Sequence, residues 1–270
     1  MIISALMLLA ALLMGAGTCV ATTWHGSHGL WIVPDDAALT TRGPCPILRR
    51  TFLLDDRPVS GTVRVIGLGH FALFANGKQV GESVVNQPWS QYNRTIYWQE
   101  FNLGAMLSRG ENVLGVQLGN SFWSVGAAND TGRYVKTDAM PDFSDGHPFL
   151  LWLEARIKTG SGREIVVTSD GQWTWDGGPL TFSHIYAGED FDARAAHIGW
   201  NAPGYDAHDW RPVRIVQPPG AALARFDGPP IKEFEVFRPT SIMAPRSGEY
   251  TYVFSQNCSA LVSCRTARTG

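Results

Sequence analysis

Cysteine is scarce in this chain. There are four among 270 residues, Cys19, Cys45, Cys258 and Cys264, with no CxxC pair and no Cys/His spacing of the kind that holds zinc. Disulfides therefore do not hold the fold together; Cys258 and Cys264 are close enough in sequence to bridge, but nothing in the pattern requires it. An excess of one charge is equally lacking. Lys and Arg number 22 against 24 Asp and Glu, a formal net charge of -2, and no basic run occurs, so neither nucleic acid nor an anionic membrane has an electrostatic claim on the chain. Long amphipathic helical periods are missing too, which excludes a helical bundle or barrel. No internal repeat, low-complexity tract or GxSxG nucleophile elbow is present.

Turn chemistry is abundant instead. With 29 Gly and 16 Pro, the composition favours many short strands joined by tight turns, hence an all-β fold. Thr62–Val65 alternates polar and apolar residues, as a half-buried strand does. Phe71–Ala75 and Lys78–Gly81 flank Asn76-Gly77, a pair that tolerates positive φ and so marks a hairpin; this makes Asn76 a turn residue rather than a ligand contact. Val113–Leu118 is continuously apolar and suits a central strand. Leu150–Lys158 alternates, with Leu151, Leu153, Ala155 and Ile157 on one face and Glu154, Arg156 and Lys158 on the other. Glu164–Thr168 and Trp173–Trp175 continue the series.

The first 21 residues stand apart. Ile2–Met14 is apolar except for Ser4, and small residues follow to Ala21, a pattern that reads as a secretory signal cleaved after Ala21. The run is short of the ~20 apolar residues that a membrane-spanning helix needs. The mature protein is thus expected to be secreted or periplasmic, with no membrane contact after cleavage. His25 and His28 read as solvated residues of a terminal arm. Residues 22–216 are expected to form one sandwich. A Pro-rich linker and a connecting strand, Lys232–Phe237, fill 217–237. Residues 238–270 are too short to build a core and read as the truncated start of a second β-domain.

One stretch fits neither strand nor helix. Gly188–Val213 gathers Glu189, Asp190, Asp192, Arg194, Trp200 and Trp210 around Gly, Pro and Asn. Long ordered loops with acids beside aromatics are more often sites than spacers. Asp206, His208 and Asp209 have no nucleophile near them and read as loop polarity.

Motifs in this stretch and elsewhere also carry a resemblance. LFANGKQVGE (Leu73–Glu82), SRGENVLGVQLGNSFW (Ser108–Trp123), GEDFDAR followed by GW and PGYDAHDW, and PPIKEFEVFRPTSI (Pro229–Ile242) occur in an order that resembles the N-terminal β-sandwich region of bacterial α-L-rhamnosidases. The resemblance implies an antiparallel, jelly-roll-like β-sandwich of the galactose-binding kind, followed by a fragment of a second β-domain. It implies rhamnose-containing glycans as ligands and a parent reaction that hydrolyses terminal non-reducing α-L-rhamnose. The acids for that reaction belong, in the family, to a helical barrel downstream. This chain is therefore expected to be non-catalytic, with the barrel as its natural packing partner; a free-standing secreted lectin-like protein is the alternative. By the same resemblance the carbohydrate-binding candidates are Asn120, Trp123, Tyr92, Glu189 and Asp192. Asn120, Glu189 and Asp192 are also the oxygen donors for Ca²⁺. The competing reading gives the acids a structural role, with an ion pair to Arg194. Of the aromatics Trp89, Tyr92, Tyr97 and Trp98, two are expected to fill the core and the others to meet a sugar ring; the sequence does not separate them.

Overall fold

The computed structural model describes residues 28–34, 44–123, 147–184 and 188–263; the expected signal segment, His25, Cys19 and Cys264 lie outside them. The described elements are strands and two single 3-10 turns, at Gly104–Met106 and Ala193–Ala195. In chain order the strands are β1 (Trp31–Pro34), β2 (Pro46–Leu54), β3 (Pro58–Leu68), β4 (His70–Ala75), β5 (Lys78–Gln79), β6 (Thr95–Asn102), β7 (Gly110–Gly119), β8 (Leu150–Thr159), β9 (Glu164–Thr168), β10 (Thr174–Gly177), β11 (Leu180–His184), β12 (Gly188–Phe191), β13 (Arg211–Val216), β14 (Ala222–Arg225), β15 (Ser241–Arg246) and β16 (Glu249–Val253).

Two layers account for most of them. The first runs β14-β6-β3-β8-β1, with β9 also on β8; the second runs β10-β2-β7-β4-β5. Strand β13 belongs to both: Arg211 and Pro212 pair with β10, while Val213–Val216 pairs with β1. Every pairing is antiparallel except β14 on β6, which is parallel. The expected antiparallel β-sandwich is thus the observed fold, with one parallel edge strand added.

Period-two patterning places the core. Leu151, Leu153, Ala155 and Ile157 of β8 are fully buried and meet Val63 and Val65 of β3, Leu48 of β2, Leu114, Val116 and Leu118 of β7, and Trp173 and Trp175. Each such aliphatic side chain contributes roughly 1.5–3 kcal/mol through burial. The opposite face of the first layer carries a second cluster. Ile66 and Leu68 stand opposite Trp152 and Leu150, and Tyr92, Ile96, Trp98 and Trp123 pack with them. The Asn76-Gly77 turn is as expected, with φ of 49° and 81°.

The compact first unit extends through Ile231. Part of the expected linker is therefore an edge strand: β14 lies on β6, and Leu223 packs against the second cluster. Its prolines and glycine flank the strand and conceal it. Lys232–Phe237, expected as a strand, has none of the ladder hydrogen bonds of one. In the second unit, β15 and β16 form a hairpin with Ile242 opposite Tyr252, both exposed.

Candidate functional site

The Gly188–Val213 stretch, expected to be neither strand nor helix, begins in β12, passes through the Ala193–Ala195 turn and ends in β13, and it serves the fold more than its composition suggests. Trp200 lies against Phe74 of β4, with ring centroids 5.7 Å apart. It also sits over Gly115 of β7, where an added Cβ would come within 2.8 Å of the indole. Trp210 is buried among His197, Trp200 and Tyr205. The guanidinium of Arg49 donates to Ala202 O and Tyr205 O at 3.3 and 3.2 Å, and Gly77 N donates to Asn201 O at 2.8 Å. Those aromatics therefore cover the second layer, with Trp210 buried and Trp200 and Tyr205 half-buried. Asp206 accepts from the His208 backbone and ring in an exposed turn, which raises the His208 pKa; the polar-loop reading of that trio fits.

One of several buried polar groups with an unpartnered atom lies where β7 ends and β4 begins. Ladder pairing sets His70 opposite Gly119. Asn120 is 5% exposed; its Nδ2 donates to Ser183 O at 2.7 Å, while its Oδ1 has no partner among the described residues. Ser183 of β11 stands opposite Glu189 of β12, so Asn120 and Glu189 adjoin the same residue. The His70 ring donates from Nδ1 to Asn86 O at 2.8 Å. Burial pushes the His70 pKa down, opposed by that bond and by Glu189. Asn86 is itself buried, with an Oδ1 that has no partner among the described residues. Burial pushes the nearby Cys45 thiol up to about 12, so it is no nucleophile at neutral pH.

Asp192 stands apart from this group. Its Oδ1 accepts from Arg194 N and Nε at 3.0 and 2.9 Å, and its Oδ2 from Arg194 Nη2 at 2.7 Å. That guanidinium holds the carboxyl at about 2, so Asp192 stays ionised and occupied. The structural reading of Asp192 is the one its contacts fit, and of the expected calcium ligands Asn120 and Glu189 both adjoin Ser183. Among the described residues no three His, Cys, Asp or Glu side chains gather as a metal cluster.

Of the aromatic candidates, Tyr97 is half-buried, edge-on to Phe226 at 5.9 Å, and the others fall on either side of it. Tyr92 and Trp98 fill the core. Burial lifts the Tyr92 phenol to about 12. Trp123, 6% exposed, is stacked on His147 at 4.4 Å, edge-on to Tyr92 at 5.4 Å, and donates from Nε1 to Pro148 O at 2.9 Å. Both Tyr92 and Trp123 are thus packed residues with no ring face turned to solvent. Trp89 is the reverse: it is 64% exposed and stacked on Phe122 at 4.6 Å. His70, Asn86 and Ser183 escaped sequence reasoning because His70 reaches this end of β7 only through strand pairing, Asn86 through its bond to His70, and Ser183 through its bond to Asn120. No short-range signal marks them. Hydrogen bonding and ring stacking are what this end of the sandwich offers chemically.

A sequence profile for the α-L-rhamnosidase N-terminal domain matches residues 56–235. An α-L-rhamnosidase of Formosa agariphila is 29% identical over 202 residues, covering 74% of this chain and 20% of that protein. One from Streptomyces avermitilis is 25% identical over 223 residues, covering 82% of this chain and 21% of that protein. Among solved structures, an α-L-rhamnosidase from Dictyoglumus thermophilum aligns with a TM-score of 0.69 at 26% identity, covering 85% of this chain and 26% of the other. The native enzyme from Aspergillus terreus aligns with a TM-score of 0.72 at 24% identity, over 83% of this chain and 25% of the other, a likeness of fold. The chain spans about a fifth to a quarter of the length of these relatives. Motif order, strand architecture and profile agree, and the chain belongs to the α-L-rhamnosidase N-terminal domain family.

Proposed function

We propose that this chain is a non-catalytic, carbohydrate-binding portion of an α-L-rhamnosidase-like glycoside hydrolase. It binds rhamnose-containing glycans at the end of the sandwich where β7 stops. The observation that carries the reading is the buried, unpartnered Oδ1 of Asn120 beside the Ser183–Glu189 pair, in a chain of this family. A buried acceptor without a partner costs free energy, and a ligand hydroxyl supplies the missing donor. Glu189 accepts from a second hydroxyl. Calcium, the metal that the family reading brings with it, would be held by Asn120 Oδ1 and the Glu189 carboxylate and would bind sugar hydroxyls through its remaining positions. The parent reaction, hydrolysis of terminal α-L-rhamnose, is assigned to a helical catalytic barrel that packs against this module. Residues 1–21 direct export to the periplasm or medium.

Titration of L-rhamnose by calorimetry, with calcium and again with chelator, tests the proposal. Heat of binding that weakens in Glu189→Gln and Asn120→Ala supports the site, and its loss in chelator supports the metal. Silence in both titrations overturns the binding role. Release of L-rhamnose from an aryl α-L-rhamnoside above the rate of Glu189→Gln overturns the non-catalytic one.

A further inference from the structure

We propose that Trp89, and neither Tyr92 nor Trp123, is the platform on which a pyranose ring stacks. This rests on the carbohydrate-binding reading above and names the residue that supplies its apolar half. Among the described tryptophans, Trp31, Trp98, Trp123, Trp152, Trp173, Trp175 and Trp210 are buried and Trp200 is half-buried against Phe74 and Gly115, whereas Trp89 is 64% exposed.

That exposure does not come from a loosely held loop. Gln87, two residues before it, has a φ of 70°, a left-handed conformation that side chains other than glycine seldom take. Three hydrogen bonds hold it there. Gln87 N donates to Gln99 Oε1 at 2.9 Å, its Nε2 donates to Tyr97 O at 3.0 Å, and its Oε1 accepts from Gly67 N at 3.1 Å. On the other side of Trp89, Ser90 Oγ donates to Thr95 O at 2.7 Å. The indole then rests on Phe122 with 25° between the ring planes, which fixes its tilt and leaves its other face outward.

An aromatic face held rigidly in water suits a ligand with a face of C–H bonds. A 6-deoxyhexopyranose has one, with a methyl group in addition. Sugar hydroxyls also need acceptors, and both segments that build the platform carry one. Asn86 lies three residues before Trp89 and Asn120 two before Phe122, each buried with an unpartnered Oδ1 among the described residues.

The test compares L-rhamnose binding by the whole chain, Trp89→Ala and Trp89→Tyr, with circular dichroism to show that each variant is folded. Weakening by at least about tenfold in Trp89→Ala, with Trp89→Tyr staying within about threefold of the parent, is the expected result. Equal binding by the parent and Trp89→Ala overturns the role of Trp89 while leaving the carbohydrate reading intact. Absence of binding by the parent itself overturns both.

Discussion

Asn76 and Asn112, 36 residues apart, share a hydrogen bond from Nδ2 to Oδ1 of 2.8 Å. Asn76 Nδ2 donates also to Met106 O and its Oδ1 accepts from Val113 N. Asn112 is fully buried; its Oδ1 accepts a second bond from Ser108 N, and its Nδ2 donates to Ser108 O and Gly110 O. One pair of amides thus fastens the β4–β5 hairpin to the turn before β7. Asn112→Ala leaves several buried groups unpaired and is expected to cost about 3 kcal/mol. Urea denaturation checks this; an unmoved midpoint would mean that water replaces the amide. L-rhamnose affinity should not change, because the proposed site lies at the other end of β7.

Two tryptophans should answer oppositely to alanine. Trp123→Ala empties a packed position and is expected to lose about 3–5 kcal/mol. Trp89→Ala touches an exposed ring and should stay within about 0.5 kcal/mol. Thermal unfolding of both variants decides it, and comparable losses would mean that Trp89 packs as a core residue.

His70 makes stability depend on pH. Its folded pKa lies below the ordinary 6.5, so near that pH the unfolded chain holds a proton that the fold excludes. The contribution is complete above 6.5 and drains as pH falls through that value toward the lower folded one. The urea midpoint of the parent should therefore drop between about pH 7.5 and about pH 5.5 by more than that of His70→Gln. Identical drops would place the titration elsewhere.

The central strands were legible in the sequence, edge strand β14 was not, and the site was legible only in part. Leu151, Leu153, Ala155 and Ile157 advertise a buried face because side chains alternate along any strand, whatever its partners. Asn76-Gly77 advertises its turn because the required φ is local. Within Gly188–Val213 the sequence does not say which residues cover the fold, because Trp200 and Trp210 would have the same composition around them in a sugar site as in a cover over β4 and β7. Asp192 looks like a ligand until Arg194 is seen closed on it. The separation of Trp89 from Tyr92 and Trp98 depends on the path of the loop before β6, which Gln87 sets through Gly67, Tyr97 and Gln99. Such contacts have no periodicity to read.

Cys45 provides a probe of opening. It is buried, with a thiol pushed up to about 12, so alkylation in the native state should leave it unmodified. Exposed Cys258 should react at once. Peptide mass mapping before and after denaturant distinguishes them; rapid native labelling of Cys45 would reveal that the β7 end opens readily.

The proposed export of this chain predicts processing after Ala21, which would leave a chain that starts at Thr22. The intact mass of protein recovered from the periplasm or medium reads this directly, and a mass that retains Met1 would contradict it.

A single strand, β13, is hydrogen-bonded to β10 along its first two residues and to β1 along the rest. The layers consequently have no seam along which they could part at that edge: detaching either one frays the strand that borders the other. Melting of the first unit should therefore proceed as one event, and a ligand clasped at one layer's rim steadies the opposite layer as well.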